Sequence, residues 1–512
     1  MDILGWNIPL WLILILLVVI IWYWHATKYF GVFKKYGIPG PRPIPGFGTF
    51  IQTMMHPKGV FGLDLDLKKR YKANVIGDPA MIFFDPEAVK QITVKDFNSF
   101  TDRRSTGVTE YPVNQMITVL KGDEWRNVRH QVSPTFSGKK LRRMTALINR
   151  CAHHLTSNLE EVAKSGDVFE CKEYAGAFTM DVIASTCFNI DVNSKNDRNN
   201  IFVRMTKRLF NFSIFNPKLI IFLCFPFIVP YLSKLGFSVF DPKCIHFFVD
   251  VFDKAVKYRQ EHPDESPNDF LNMMLKASES HSDHEADSDE DALPETKHNN
   301  QCLRSLSTGE IIGQSLIFFF AGYETTANAV TLTIYNLAVN PDTQEKAYQE
   351  IMDIIPEGED PGYDDLKKLK YLEMCLLETI RMYPPGPQFD RECVADTEVK
   401  GIKVPKGMFV IVPVHALNND PEVWPNPEQF DPERFTEEAK KSRHPFQYIP
   451  FGIGPRVCIG QRLAIIEAKV ALVHVLRSFK VLRCDKTQVP IKLMKIRAEA
   501  VNGVWLKLEK RE

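Results

Sequence analysis

The chain has 512 residues, 45% hydrophobic and 25% charged, enough to form a sizeable core in one large domain or several ordinary ones. Lys+Arg and Asp+Glu both number 63, so no global charge excess argues for a nucleic-acid partner. The ten cysteines are scattered without paired zinc-finger spacing, which excludes a small disulfide-framed module and points to reduced thiols in a cytosol-facing domain.

The first element is apolar. From Ile3 to Trp24 no residue carries a charge. As a helix this run spans roughly 33 Å, enough for a hydrocarbon core of about 30 Å. Trp22, Tyr23 and Trp24 suit an interfacial belt, and Lys28, Lys34 and Lys35 follow. Residues 3–24 are therefore expected to be a transmembrane signal anchor, with a lumenal N-terminus and the remainder in the cytosol. A cleaved signal peptide is the rival, but its apolar region is usually shorter and ends in small residues.

Residues 25–50 read as a basic, proline-rich linker. Pro39, Pro41, Pro43 and Pro45 alternate with other residues, fixing φ and removing donors, which makes the segment stiff and extended. Beyond it most of the chain carries helical periodicity, with short β-rich runs near Val75–Phe84 and Val399–Val414. The expected fold class is mainly α with a minor β-sheet region, in one large domain over residues 51–512.

Gly138-Lys139-Lys140-Leu141-Arg142-Arg143 is a basic cluster, ordinarily a solvated face. Phe210–Phe248 is crowded with phenylalanine, and its apolar run Leu219–Leu232 is broken by Pro226 and Pro230, too short to span a bilayer comfortably. Two readings stand: a buried core segment, or an exposed flap dipping into a membrane surface. Residues 278–300 are polar and acidic, with His281 and His284, and are expected to form a mobile surface loop. Metal binding by that loop is the alternative.

Phe318-Phe319-Phe320-Ala321-Gly322-Tyr323-Glu324-Thr325-Thr326 ends an apolar helical stretch in acid and hydroxyl groups. Ala321 and Thr325 are four apart and share a face. Gly322 removes bulk, which would leave room for a diatomic molecule or water. A hydroxyl next to a carboxylate can relay protons through water, so Glu324 and Thr325 are the catalytic candidates. The alternative is that Thr325 bonds back to the carbonyl of Ala321 and only bends the helix.

Glu378 and Arg381, three apart among apolar residues, are placed to form a buried pair. Last comes Phe451-Gly452-Ile453-Gly454-Pro455-Arg456-Val457-Cys458-Ile459-Gly460, before an amphipathic run, Gln461 to Phe479. A cysteine at a helix N-terminus beside a guanidinium is expected to have a lowered pKa, and a thiolate is a strong iron ligand.

That decamer matches, at every defined position, the haem-binding signature Phe-x-x-Gly-x-Arg-x-Cys-x-Gly of the cytochrome P450 superfamily, which the chain resembles from end to end. The resemblance implies the cytochrome P450 fold and haem b (iron protoporphyrin IX) bound through Cys458, with Phe451, Gly452, Gly460 and Ala321 lining the cofactor. It also implies that Trp125 and Arg129 match the Trp-x-x-x-Arg of a propionate-binding helix, with Arg103, Arg391 and Arg456 as further propionate contacts. Glu378 and Arg381 resemble the structural Glu-x-x-Arg pair that locks onto Arg434 of Phe430-Asp431-Pro432-Glu433-Arg434-Phe435. Phe318, Phe320, Ala321, Gln388 and Phe389 are the implied substrate wall.

The implied activity is monooxygenation: one oxygen atom of O2 enters a lipophilic substrate (steroid, fatty acid or xenobiotic). NADPH supplies electrons through a reductase docked on the basic cluster near Lys139, with cytochrome b5 a further candidate partner. The proline segment resembles that of microsomal members, which implies the endoplasmic reticulum membrane. Ala321-Gly322-Tyr323-Glu324-Thr325-Thr326 resembles the animal family 3 branch, from which the acidic insertion at 278–300 departs. The alternatives are a haem-thiolate peroxide isomerase or dehydratase, which commonly alters the threonine retained here as Thr325, and a non-catalytic haem sensor.

Overall fold

The computed structural model describes residues 2–3, 6–7, 9–27, 30–31, 38–41, 43–45, 47–71, 73–75, 80–104, 108–189, 192–197, 201–210, 216–218, 221, 228–238, 240–262, 269–279 and 304–511. The expected loop at 278–300 lies almost wholly outside the described residues, as do Lys28, Lys34, Lys35 and most of the run Leu219–Leu232.

The helices that frame the site are α1 (Leu10–Thr27), α2 (Gly59–Tyr71), α3 (Gly122–Val132), α4 (Gly138–Ser165), α5 (Cys171–Phe188), α6 (Thr308–Val339), α7 (Lys370–Met382) and α8 (Gln461–Ser478). Helix α1 starts after Pro9, whereas the sequence suggested a start at Ile3; residues Asp2–Ile3 instead pair antiparallel with Trp6–Asn7. Proline has no N–H to donate and a φ suited to a first turn, which sets that start. The 18 residues of α1 span about 27 Å. Among the described residues, no helix is long and apolar enough to cross a membrane. Nevertheless α1 exposes Trp11, Leu14, Leu16, Val18 and Ile21 on all sides, each more than half accessible.

The proline segment does not stand clear of the domain. Ile38 is buried in one cluster with Met81, Phe83, Phe100 and Val410, and Ile44 bridges to Gly48. Within Phe210–Phe248 the described parts divide: Val229 and Phe248 are buried, while Tyr231 and Leu235 are exposed.

Helix α6 is the central strut. Its start is fixed by a capping box, in which Ser307 Oγ accepts from the Glu310 backbone N–H at 3.2 Å and Ser307 N–H donates to Glu310 Oε2 at 2.8 Å. Asn340 and Pro341 end it, since a proline disfavours helix in the residue before it. From Thr326 to Ala338 every residue is buried. A helix apolar all round needs cover on all sides, and α5, α7 and α8 supply it.

Strands β1 (Ala73–Val75), β2 (Ala80–Phe83), β3 (Phe389–Glu392) and β4 (Phe409–Val412) form one sheet, in the order β1-β2-β4-β3. The pair β2–β4 is parallel, and Ala80–Phe83 is buried throughout. A second sheet joins β5 (Phe479–Arg483) and β6 (Trp505–Lys510) to Phe169–Glu170, closing the end of α8. The β-rich run expected to reach Val414 stops at Val412, because Val414–Asn418 is helical. Helix α8 likewise stops at Ser478, and Phe479 opens β5.

Candidate active site

The cysteine loop is held by its own backbone. Cys458 N–H donates to Phe451 carbonyl at 2.9 Å, Val457 N–H to Gly454 carbonyl at 2.9 Å, and Gly452 N–H to Ile449 carbonyl at 3.0 Å. Gly454 sits at φ 77°, and a Cβ there would lie 2.0 Å from the Thr93 carbonyl oxygen. Only glycine fits both the left-handed backbone and that approach. A Cβ on Gly452 or Gly460 would meet no atom within 4 Å, so the face these residues present is open enough for a flat group.

Among the described cysteines, Cys458 alone is exposed; Cys151, Cys171, Cys187, Cys244, Cys375 and Cys393 are buried and Cys484 is partly covered. The expectation of a lowered thiol pKa is corrected. Burial is the largest influence and raises it, while the backbone N–H groups of Gly460 and Gln461 and the charges of Arg129 and Arg103 pull it down. The residue is exposed, yet the protein atoms packed around its thiol desolvate it. A metal at the sulfur would displace the proton outright. The neighbouring Arg456 is not the cationic partner.

Arg456 is otherwise engaged. Its Nε donates to Thr101 carbonyl at 2.8 Å, Nη1 to Ile117 carbonyl at 3.3 Å and Nη2 to Leu120 carbonyl at 3.1 Å. The guanidinium carbon lies 4.0 Å from the centroid of the buried Trp125 ring. Trp125 on α3 thus stacks on Arg456.

Four guanidiniums crowd this region. Burial, then repulsion from Arg103 and Arg391, push the Arg456 pKa down to about 8. Burial and Arg103 bring Arg391 to about 9. Burial lowers Arg129 to about 10 against the pull of Cys458, and Arg103 is lowered by burial too. The Nε atoms of Arg103 and Arg391 are buried without a hydrogen-bond partner. Buried donors of like charge demand a counterion, and a ligand with two carboxylates meets that demand. The open glycine face, the exposed Cys458 and this cationic cluster together fit haem.

On α6, Ala321 and Thr325 are exposed between buried Phe319 and Thr326. Thr325 Oγ1 donates to Ala321 carbonyl at 2.7 Å, the back-bond that the sequence left as an alternative. Glu324 points elsewhere: Lys172 Nζ lies 2.6 Å from its Oε1, and Asn328 Nδ2 donates to it at 3.3 Å. Lys172 also contacts Glu499 Oε1 at 2.8 Å. Two clefts of about 200 and 240 Å³ flank Lys172, one lined by Tyr323 and Glu173, the other by Asn328 and Glu499. Gly322 does not make room for a small molecule. A Cβ there would lie 2.8 Å from Ile183 Cδ1, so the glycine lets α5 and α6 approach closely.

The residues expected to form the substrate wall each have protein contacts of their own. Phe318 packs edge-on against Phe136 and Phe270, with centroids 5.4 and 4.6 Å away. Phe320 faces Phe240 at 6.0 Å, and Phe389 lies beneath Arg391 at 4.8 Å. Gln388 Nε2 donates to both oxygens of buried Asp64 on α2, at 2.8 and 2.7 Å. Burial raises the Asp64 pKa to about 7, against the lowering bond from Gln388.

The Glu378–Arg381 pair is fully buried, with Nε–Oε2 at 2.7 Å and Nη2–Oε1 at 2.9 Å. Arg381 Nη1 also donates to Asn418 carbonyl at 3.1 Å, and Nη2 to Pro427 carbonyl at 2.7 Å. Arg434 Nε reaches Glu378 Oε1 at 3.4 Å, and Asp431 N–H donates to the same oxygen at 3.1 Å.

The family model for cytochrome P450 matches residues 38–503. The chain belongs to the cytochrome P450 family. It is 36% identical over 496 residues to cytochrome P450 3A13 of Mus musculus, covering 96% of this chain and 94% of that one. It is 37% identical over 497 residues to cytochrome P450 3A29 of Sus scrofa, with 96% and 94% covered. Against cytochrome P450 3A1 of Rattus norvegicus it is 37% identical over 502 residues, with 96% and 95% covered. As a cytochrome P450 the protein is a haem-thiolate monooxygenase.

The sequence did not point to Lys172, Glu499 or Asp64. All three come from segments distant from the residues they contact, and no local spacing signals such pairs.

Proposed function

We propose that this cytochrome P450 oxidises a lipophilic substrate at the endoplasmic reticulum membrane, using NADPH-derived electrons delivered by a reductase. The observation that carries this reading is the convergence of Cys458 with Arg103, Arg129, Arg391 and Arg456. Cys458 would hold haem; Arg103, Arg129 and Arg391, with the N–H groups that Arg456 does not spend on carbonyls and with Trp125, would seat its carboxylates, and Phe451, Gly452, Gly460 and Ala321 would border it. Bound through a thiolate, haem supplies oxygen activation, since the thiolate's electron donation favours O–O cleavage.

The chain's own residues divide the remaining work. Thr325 commits its proton to the Ala321 carbonyl, leaving oxygen lone pairs on its exposed side that accept from a water or substrate hydroxyl. Glu324 is held on the Lys172 side, beside two clefts, where it exchanges protons with water. Proton supply therefore comes from outside α6 and proton use lies along the Thr325 face. Glu378, Arg381 and Arg434 keep the core rigid around the cysteine loop.

Lys139, Arg142 and Arg143 are exposed at the start of α4, while Leu141 between them is buried. A local basic face on a chain of zero net charge can steer an acidic partner. The reductase docks there, with cytochrome b5 as an alternative occupant. The exposed apolar surface of α1 supports a membrane anchor, with Tyr231 and Leu235 as a second contact. Phe318, Phe320, Gln388 and Phe389 stay as the proposed edge of the substrate space.

The deciding experiment is substitution of the ligand. Cys458→Ala is expected to lack the ferrous-CO absorption at about 450 nm and to form no product with NADPH, reductase and lipophilic compounds. A variant that keeps the band would show that another residue binds the iron.

A further inference from the structure

Where α4 and α8 approach the segment before the helix Tyr363–Lys368, three metal-ligating groups meet. His153 lies on α4, His474 on α8, and Asp360 in the segment before the helix Tyr363–Lys368. His153 Nε2 is 2.8 Å from Asp360 Oδ1, and His474 Nε2 is 3.8 Å from the same oxygen. All three ligand atoms fall within 4.8 Å of one another. The imidazoles meet edge to face with centroids 4.8 Å apart.

A fourth donor is at hand. Asn149, buried on α4, places Oδ1 3.0 Å from His474 Nε2, and its Nδ2 donates to Pro361 carbonyl at 3.0 Å. That second bond fixes which way the amide faces and ties it to the residue after Asp360. His474 is buried, whereas His153 and Asp360 are about half exposed, which leaves an entry path and two side chains able to adjust. Tetrahedral zinc with bonds of about 2.0–2.2 Å sets its ligands about 3.4 Å apart, between the two separations to Asp360 Oδ1.

We propose that His153, Asp360 and His474 form a binding site for a divalent transition-metal cation of the zinc class, with Asn149 Oδ1 or water completing four ligands. Two imidazoles and one carboxylate suit zinc, and also copper or nickel, and disfavour magnesium and calcium, which take all-oxygen sets. The bound ion staples α4, the 355–362 segment and α8 together. The site is separate from haem and uses none of its residues.

The test takes the full-length, haem-loaded chain without a polyhistidine tag, stripped with EDTA and dialysed against zinc chloride. The expected result is a single zinc bound at micromolar concentration, with a raised thermal unfolding midpoint by circular dichroism. His153→Ala and Asp360→Asn, both at accessible positions, are each expected to weaken binding by about tenfold or more while the haem spectrum stays intact. Replacing His281 and His284 with alanine is expected to change nothing. Unaltered zinc binding in both single variants, binding only at millimolar zinc, or loss of binding on changing His281 and His284 would each overturn the assignment.

Discussion

Lys172 Nζ lies 2.6 Å from Glu324 Oε1 and 2.8 Å from Glu499 Oε1, so one ammonium on α5 neutralises two carboxylates. All three side chains are less than a quarter exposed. Removing the ammonium strips Glu324 of its ion pair and leaves it the bond from Asn328 at 3.3 Å, while Glu499 keeps Arg497 Nε at 2.6 Å from its Oε2.

Lys172→Met is therefore expected to disturb proton supply while leaving haem bound. Product formed per NADPH should fall several-fold, with the difference recovered as hydrogen peroxide. Unchanged coupling would detach Glu324 from the relay.

Thr325→Ala removes the hydroxyl and its bond to Ala321. Substrate oxidation should fall by at least about tenfold, with haem absorption retained and peroxide raised. Peroxide assay beside product analysis checks it, and equal coupling in variant and parent would leave the back-bond as the residue's whole role.

Arg381→Ala would leave Glu378 a buried carboxylate with its two-bond partner gone and the longer contact to Arg434 and the Asp431 N–H in its place. Breaking a buried pair typically costs about 3–5 kcal/mol. Burial already raises the Glu378 pKa despite the bonds from Arg381. The variant is expected to be recovered with little haem and a depressed unfolding midpoint, whereas Arg434→Ala, at the 3.4 Å contact, should lose less.

Asp64 predicts a pH dependence. Its folded pKa of about 7 lies above the ordinary aspartate value of 3.8, so the folded state holds a proton that the unfolded chain gives up first. This contribution to stability is fully present below about pH 4 and is lost as pH rises to 7, by about 1.4 kcal/mol per unit. Asp64→Asn should flatten that slope in denaturant titrations between pH 5 and 7. A parallel slope in the two proteins would place the proton elsewhere.

Gly454→Ala drives a methyl group to 2.0 Å from the Thr93 carbonyl at a left-handed backbone angle. The loop must move, so haem retention should drop while far-ultraviolet circular dichroism stays near that of the parent. A variant that keeps its haem would show that the loop tolerates the shift.

The cysteine loop was legible because its residues are contiguous and each has a local task. The Glu378–Arg381 pair was legible for a similar reason, since helical spacing puts both on one face. Glu324 and Thr325 were found together but assigned one direction, although neighbours on a helix diverge by about 100°; the structure separates them. Gly322 was misread because a missing side chain looks the same in sequence whether it admits a ligand or a neighbouring helix. Lys172, Asp64 and the carbonyl partners of Arg456 were invisible, since tertiary contact alone brings them together. The thiol pKa was misjudged because helix-end polarity is visible in sequence and desolvation is not.

Arg456 reaches the carbonyls of Thr101, Ile117 and Leu120, and it stands two residues from the sulfur in sequence. A change of backbone path in the 101–120 stretch is thereby transmitted to the iron-ligand loop, so substitutions more than three hundred positions upstream would alter the reactivity of Cys458 without touching it.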